Sequence, residues 1–434
     1  MIRLANVLIV DATPGHAQLL AERLGHGGYH ATVVAASADG QAHARQEHPD
    51  LILIGQPADS DAIALGATLK ADPATEDIPV LLVVEAATPA LCRQALAAGL
   101  DDVVEAACDD VELQARLRPL VRLETMHAEL RQRALVAKAF GVAARERVSG
   151  PGGSSPVLLL IGDRAEVAAP FLADIGEMVC CGNLFDAEDL LTRRNFDAAL
   201  ISFGEEPEGL LGFCSQVRTN PRLFNLPLVL LSAGAADEPY RRGATRVLSP
   251  QADPAVLHTV LQSLVRRQQL RWSIRAALGD SLAPATRDPA TGAYGRTFFD
   301  AYLANRLDLA KAQDRHLAVV FFASPNIDGV RRQFGEDAAL HLTQQVGQWI
   351  TGLLRAEDLT AAYAPHEFCV ILPDTPLAEA EVVMHRIAGV LAYTDFAVRE
   401  VYQPVKVWVQ VGCTDARDDD TVASLLARAR RNID

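Results

Sequence analysis

The chain has no run of about 18 consecutive apolar residues, the length a helix needs to span a bilayer, so membrane insertion is not expected. Positive charge is also scarce. Lys and Arg number 40 against 55 Asp and Glu, for a formal net charge of −15. That balance argues against a nucleic-acid partner, because binding a phosphate backbone needs a basic face that displaces counterions. The seven cysteines form no C-x-x-C pair, and an odd set of thiols without that spacing fits a reduced, cytoplasmic protein. Adjacent Cys180 and Cys181 read as packing residues and not as metal ligands. Met1 to Val10 carries one Arg and a short apolar run without a cleavage-site pattern, so it is expected to be a first β-strand and not a signal peptide.

Half of the residues are hydrophobic and 22% are charged, the balance of a chain that is globular throughout. At 434 residues about three domains are expected. Short apolar runs at Val7–Val10, Leu51–Ile54 and Val80–Val84 alternate with Ala-rich segments of helical period, and the pattern returns at Val157–Ile161, Ala198–Ile201 and Leu228–Leu231. Strands that alternate with helices imply a parallel sheet covered on both faces. Two such α/β modules in tandem are expected, at 1–140 and 156–270. The linker between them, 141–155, ends in Gly150-Pro151-Gly152-Gly153-Ser154-Ser155, flexible by composition. Val111 to about Arg147 reads as one long helix, with Leu113, Leu117, Leu120, Leu123 and Leu130 at helical spacing. A second runs through Val256, Leu257, Val260, Leu261, Leu264, Val265 and Trp272 into a helical stalk at 271–286. Its Arg266, Arg267 and Arg271 are expected to be solvated.

In the last third, 287–434, the stretch Leu354 to Asp374 reads as a β-hairpin. A turn of small residues (Ala361, Ala362, Ala364, Pro365) leads into a strand from Phe368 to Leu372, and Arg355 and Asp358 stand three apart just before it. On these marks the segment resembles the GGDEF domain of diguanylate cyclases. The hairpin motif reads Ala364-Pro365-His366-Glu367-Phe368, and Arg355 and Asp358 match the R-x-x-D five residues upstream of it. Asp288, Thr291, Gly292 and Arg296 match the family's opening motif, and Phe334-Gly335 sets the register of the guanine-binding helix. The two preceding modules resemble response-regulator receiver domains. The fold implied is two tandem flavodoxin-like receivers, each a doubly wound parallel sheet, followed by a nucleotidyl-cyclase-like GGDEF domain.

Residue by residue, the resemblance implies lost chemistry. In the first receiver Asp11 remains, but Gly55 stands at the phosphoacceptor position, Glu85 at the Thr/Ser and Glu105 at the Lys; Asp59 and Asp61 nearby read as solvated loop carboxylates. The second receiver keeps Gly162-Asp163, has Ser202 at the acceptor position and reads Ser249-Pro250 at the Lys. In the GGDEF segment Ala323 and Pro325 replace metal-site carboxylates, Arg331 and Leu340 replace guanine contacts, and Ala364 and Pro365 replace the two glycines. His366 replaces a metal carboxylate and is expected to be a solvent-exposed turn residue; only Glu367 survives. The chain ends at Asp434, before a basic segment that active relatives carry.

No catalytic residue and no catalytic metal are therefore expected. The R-x-x-D implies cyclic di-GMP as a regulatory ligand at Arg355 and Asp358, with Arg399 as a further candidate. A guanidinium can pair with guanine O6 and N7, and a carboxylate accepts N–H groups. The alternative for the same pair is a surface ion pair worth a few tenths of a kcal/mol, about the value of other exposed pairs. Among receiver–receiver–GGDEF proteins the pattern is most similar to catalytically silent effectors. That similarity implies an adaptor that helps deliver a cell-cycle regulator to the ClpXP protease, a homodimer through the receivers, and placement at a cell pole. A nucleotide-independent scaffold and a residual cyclase are the competing readings.

Overall fold

The computed structural model describes residues 4–148, 150, 155–205, 207–220, 222–234, 236–399, 401–431 and 433; of the linker expected at 141–155, residues 149 and 151–154 lie outside them. The chain divides into two compact units. One comprises Ala5–Glu124 with Ser149–Ser273, the other Thr125–Val148 with Ile274–Asp434. Among the described residues no helix is long and apolar enough to cross a membrane.

The first unit holds two five-stranded sheets. β1 (Ala5–Val10), β2 (Tyr29–Val34), β3 (Leu51–Ile54), β4 (Val80–Val84) and β5 (Asp102–Glu105) are ordered β2-β1-β3-β4-β5. β6 (Val157–Ile161), β7 (Glu177–Cys181), β8 (Ala198–Ser202), β9 (Leu228–Leu231) and β10 (Arg246–Leu248) repeat that order as β10-β9-β8-β6-β7. Every pairing is parallel, which gives two copies of the doubly wound 2-1-3-4-5 topology. The inner strands are buried on both faces and therefore read as unbroken apolar runs, Leu51-Ile52-Leu53-Ile54 being the clearest. Of the adjacent cysteines, Cys181 packs inward and Cys180 is exposed, as strand alternation requires.

Within this unit the two modules meet through buried charge. Asp102 on β5 takes Arg116 at 3.0 Å from its own module and Arg246 of β10 from the other. Burial works against the ionised carboxylate, but Arg116, Arg246 and Arg267 together outweigh it and hold Asp102 below the usual carboxylate range. The expectation of a solvated arginine face on Pro254–Leu278 holds only for Arg266. Arg267 and Arg271 are buried; Arg267 donates to the Asp101 carbonyl at 2.6 Å and Arg271 to that of Pro119 at 2.8 Å. A guanidinium is buried there because backbone carbonyls from a distant segment accept its N–H groups.

The second unit is built on an antiparallel sheet of β11 (Leu317–Ala323), β12 (Leu359–Ala364), β13 (Glu367–Pro373) and β14 (Gln410–Asp415), ordered β12-β13-β11-β14. Both faces are covered, and the alternation along β11 and β13 divides the side chains cleanly. Ala318, Val320, Phe322, Phe368, Val370 and Leu372 join Leu342, Val346 and Ile350 of helix Glu336–Gly352. Leu317, Val319, Phe321, Cys369 and Ile371 join Phe298, Phe299 and Tyr302 of helix Arg296–Ala312. On the first face a Cβ at Gly347 would come 2.7 Å from the Phe368 ring, so the helix lies on that ring only because the position is Gly.

The long helix expected to reach about Arg147 spans Asp110–Ala139. It stops there because Gly141 takes φ 72 and lets Val142 N–H bond back to the Ala137 carbonyl at 3.1 Å, a left-handed C-terminal closure. Its last turns enter the second unit's core through Val136 and Ala137.

Asp102→Ala leaves Arg116 and Arg246 buried without their carboxylate, and is expected to lower stability by ~3–5 kcal/mol in urea unfolding. The folded-state value of Asp102 is depressed, so its contribution is complete above about pH 4 and fades as pH falls. The variant should therefore also show a flatter acid limb.

Candidate functional site

The hairpin turns at Pro365 and His366 alone. Ala361–Ala364, expected to form the turn, belong to β12, and Ala364 pairs with Glu367 across it. Pro365 holds a negative φ by its ring and His366 takes φ 57, the sign pattern of a type II turn, whose third position usually carries Gly or Asn. A left-handed His costs roughly 1–2 kcal/mol, and here its side chain is tied on both edges. Arg331 Nη2 lies 2.9 Å from His366 Nε2, and Thr343 Oγ1 lies 2.9 Å from Nδ1. Arginine can only donate, so Nε2 is the acceptor and Nδ1 carries the proton, which it gives to Thr343. Thr343 in turn donates to the Ala339 carbonyl at 2.8 Å. Burial, followed by the charge of Arg331, pushes the imidazole below its ordinary value. His366 is thus a neutral, engaged residue with 9% of its side chain exposed, contrary to the solvated turn residue expected.

Arg331 itself is fully committed. It pairs with Asp328 at 3.0 Å and with Glu336 at 2.9 Å. Across the sheet Ala323 stands opposite Glu367 in the β11–β13 register. Both Glu367 oxygens accept from Arg430 Nη2 at 2.9 Å. Arg296 stacks 3.6 Å over the Tyr363 ring, with Arg430 at 5.6 Å from the same ring.

Arg355 and Asp358 are brought together, though not as an ion pair between side chains. Asp358 Oδ2 accepts the backbone N–H of Arg355 at 2.9 Å. Its Oδ1 is sealed from solvent, with no hydrogen-bond donor among the described residues. Burial, aided by Glu357 and opposed by Arg355, pushes the carboxyl up to about 7. The Arg355 guanidinium is 28% exposed and reaches Glu379 only at 3.9 Å.

Sequence reasoning missed Arg386, on helix Leu377–Tyr393. It donates to the Leu353 carbonyl at 3.0 Å, and burial together with the neighbouring Arg355 charge lowers its affinity for its proton. No local pattern signals it, because the juxtaposition depends on how the helix folds back over the sheet. Arg399 lies elsewhere: its N–H bonds to His341, about 16 Å along helix Glu336–Gly352 from the end that carries Arg355.

In the first module the space beside Gly55 is taken. Asp11 is buried, accepts Thr13 N–H at 2.8 Å and pairs with His16. A Cβ at Gly55 would stand 2.1 Å from Asp11 Oδ2. Asp59 and Asp61 are exposed in the loop, as expected, and each also caps a helix: Asp59 accepts Ser37 N–H at 2.7 Å and Asp61 accepts Ile63 N–H at 2.9 Å. Glu105 accepts Ala87 N–H at 2.9 Å, while Glu85 is exposed. In the second module Ser202 is buried at the end of β8, and Asp163 accepts Gly204 N–H at 2.9 Å.

Residues 285–434 match the family described as diguanylate cyclase, GGDEF domain. The response regulator PleD of Caulobacter vibrioides is 26% identical over 439 residues, which cover 99% of this chain and 96% of PleD. The cyclic di-GMP phosphodiesterase NbdA of Pseudomonas aeruginosa is 29% identical over 103 residues, 24% of this chain and 13% of NbdA. Among solved structures, the GGDEF domain of DgcB from Caulobacter crescentus in complex with c-di-GMP aligns at 17% identity, over 34% of this chain and 85% of that one, with a TM-score of 0.33. Two parallel-sheet α/β modules precede the segment, residues 285–434, that matches the GGDEF domain family, and the chain is similar to the response regulator PleD over nearly its whole length.

Proposed function

We propose that this chain is a cyclic di-GMP effector without diguanylate cyclase activity. The observation that carries the reading is the Arg355–Asp358 loop. Arg355 and Arg386 stand close enough for one charge to depress the other, beside a carboxyl whose Oδ1 has no donor among the described residues. Cyclic di-GMP supplies what each group wants. Its phosphodiester anions relieve the like-charge pair, guanine O6 and N7 accept paired guanidinium N–H groups, and guanine N1–H is a donor for Oδ1. Because Oδ1 is sealed, binding includes a shift of neighbouring side chains.

Joining two GTP molecules needs a hard divalent cation held by oxygen ligands, and the donor set at the hairpin does not fit one. Ala323 offers no ligand, both ring nitrogens of His366 are engaged, and Glu367 is shared with Arg430. Arg331, at a position where the family contacts guanine, is tied to Asp328, Glu336 and His366. The resemblance to the silent relative PopA suggests the output: an adaptor, placed at a cell pole and dimeric, that hands a cell-cycle regulator to ClpXP.

Calorimetric titration tests the ligand. Wild type is expected to bind cyclic di-GMP saturably, Arg355→Ala not at all, and Arg386→Ala at least about tenfold more weakly, the loss of one charged hydrogen-bond partner. No binding by folded wild type would leave a nucleotide-independent scaffold. A second expectation concerns pH. Only the ionised carboxylate offers Oδ1 as an acceptor, and Asp358 titrates at about 7. Affinity should therefore tighten from about pH 6 to about pH 8, with proton release on binding, read by calorimetry in buffers of different ionisation enthalpy; an affinity independent of pH would remove Asp358 from the ligand contacts. With GTP and Mg²⁺ no cyclic di-GMP should form, and product formation that disappears in Glu367→Gln would revive the cyclase reading.

A further inference from the structure

We propose that Arg133, on the helix Asp110–Ala139, is the positioning residue of the Arg355–Asp358 loop. Through it, that helix takes part in the loop's ligand equilibrium. The inference rests on the cyclic di-GMP reading of the loop and deepens it.

Arg133 is 4% exposed. Its Nη2 donates to two successive carbonyl oxygens, those of Glu357 at 2.5 Å and Asp358 at 3.0 Å. Its carboxylate neighbour, Glu129, lies one turn earlier at 3.9 Å and is itself paired with Arg306 at 3.1 Å. Its guanidinium also sits 6.0 Å from the Tyr302 ring centroid. A buried guanidinium with no closer counter-ion among the described residues keeps its charge through the carbonyls that accept from it. Within the loop, Asp358 Oδ2 takes the Arg355 N–H, and Asp358 N–H bonds the Arg355 carbonyl at 3.3 Å. Arg133 thus reaches in from another element and holds the peptide carbonyls of Glu357 and Asp358.

This anchor decides what moves when the ligand arrives. Oδ1 of Asp358 is sealed, so something must shift to expose it. With both carbonyls fixed from beneath, the shift is confined to side chains and the Asp358 backbone stays aligned for guanine. Without the anchor the loop must be ordered at the moment of binding, and affinity falls by that cost. Arg133 makes no contact with the ligand in this scheme, and its effect is carried through the backbone it holds.

The test uses the full chain with Arg133→Met, Arg133→Lys and Val136→Ala. The last removes core packing one turn along the same helix, at a side chain that can form no hydrogen bond to the loop. Amide hydrogen exchange is read at residues 355–359 in the absence of ligand, and cyclic di-GMP affinity by calorimetry. Arg133→Met should speed exchange of the Arg355 amide and weaken binding about tenfold or more, the effect of losing a charged donor to two buried carbonyls. Arg133→Lys, with an ammonium that can reach one carbonyl, should fall between it and wild type. Val136→Ala should lower the unfolding temperature and leave affinity and loop exchange unchanged. Arg133→Met with wild-type affinity and wild-type loop exchange overturns the proposal, as does an equal loss of affinity in Val136→Ala. If wild type binds no cyclic di-GMP, the ligand reading fails by itself. The positioning role then stands or falls on exchange at residues 355–359 alone.

Discussion

The register of β11 against β13 is the constraint on which the C-terminal unit depends. Both strands alternate between two apolar cores, so a slip of one residue would send Phe322, Phe368 and Val370 into the face built for Phe321 and Ile371. With the register locked, the rest of the hairpin follows. Ala323 must face Glu367, the chain must reverse within Pro365 and His366, and His366 must take a left-handed backbone with its ring directed at helices Ile327–Phe334 and Glu336–Gly352. Packing that has nothing to do with nucleotides thereby brings Arg331, Thr343 and His366 into one hydrogen-bonded chain.

Several arginines serve this protein from the inside. Arg133, Arg267 and Arg271 are buried and donate to backbone carbonyls of segments far away in sequence. Arg116 and Arg246 share Asp102 across the two receiver-like modules. Each contact joins pieces that apolar packing alone would leave free to slide. The fork of the guanidinium adds direction to adhesion. Carboxylates are buried alongside these arginines, Asp102 and Glu129 among them, so charge of both signs is spent inside.

Much of the fold was legible because burial on both faces leaves a continuous apolar run. Leu51–Ile54, Val80–Val84, Val157–Ile161 and Leu228–Leu231 could be bounded to the residue. Edge strands were not. Tyr29–Val34 and Glu177–Cys181 carry polar residues and are half open to solvent, so their runs look like loop or helix. At the candidate site the hairpin and the Arg355–Asp358 spacing could be read directly, since both are local. Arg386, the burial of His366 and the fate of Arg267 could not, because each depends on which distant carbonyl, ring or helix comes to lie beside it. Charged and polar residues announce their type in a sequence; their partners are chosen by topology.

The glycine after β3 has a consequence of another kind. Its missing side chain is not an empty place, since the Asp11 carboxylate, bonded to Thr13 and His16, already fills the volume a Cβ would need. Any larger side chain at residue 55 would press against that carboxylate, so Asp11 would have to turn away and His16 release it before the new group could fit. The position is held to glycine by its neighbours: a change there is a change to Asp11 and His16 as well, and the three residues can be altered only as a set.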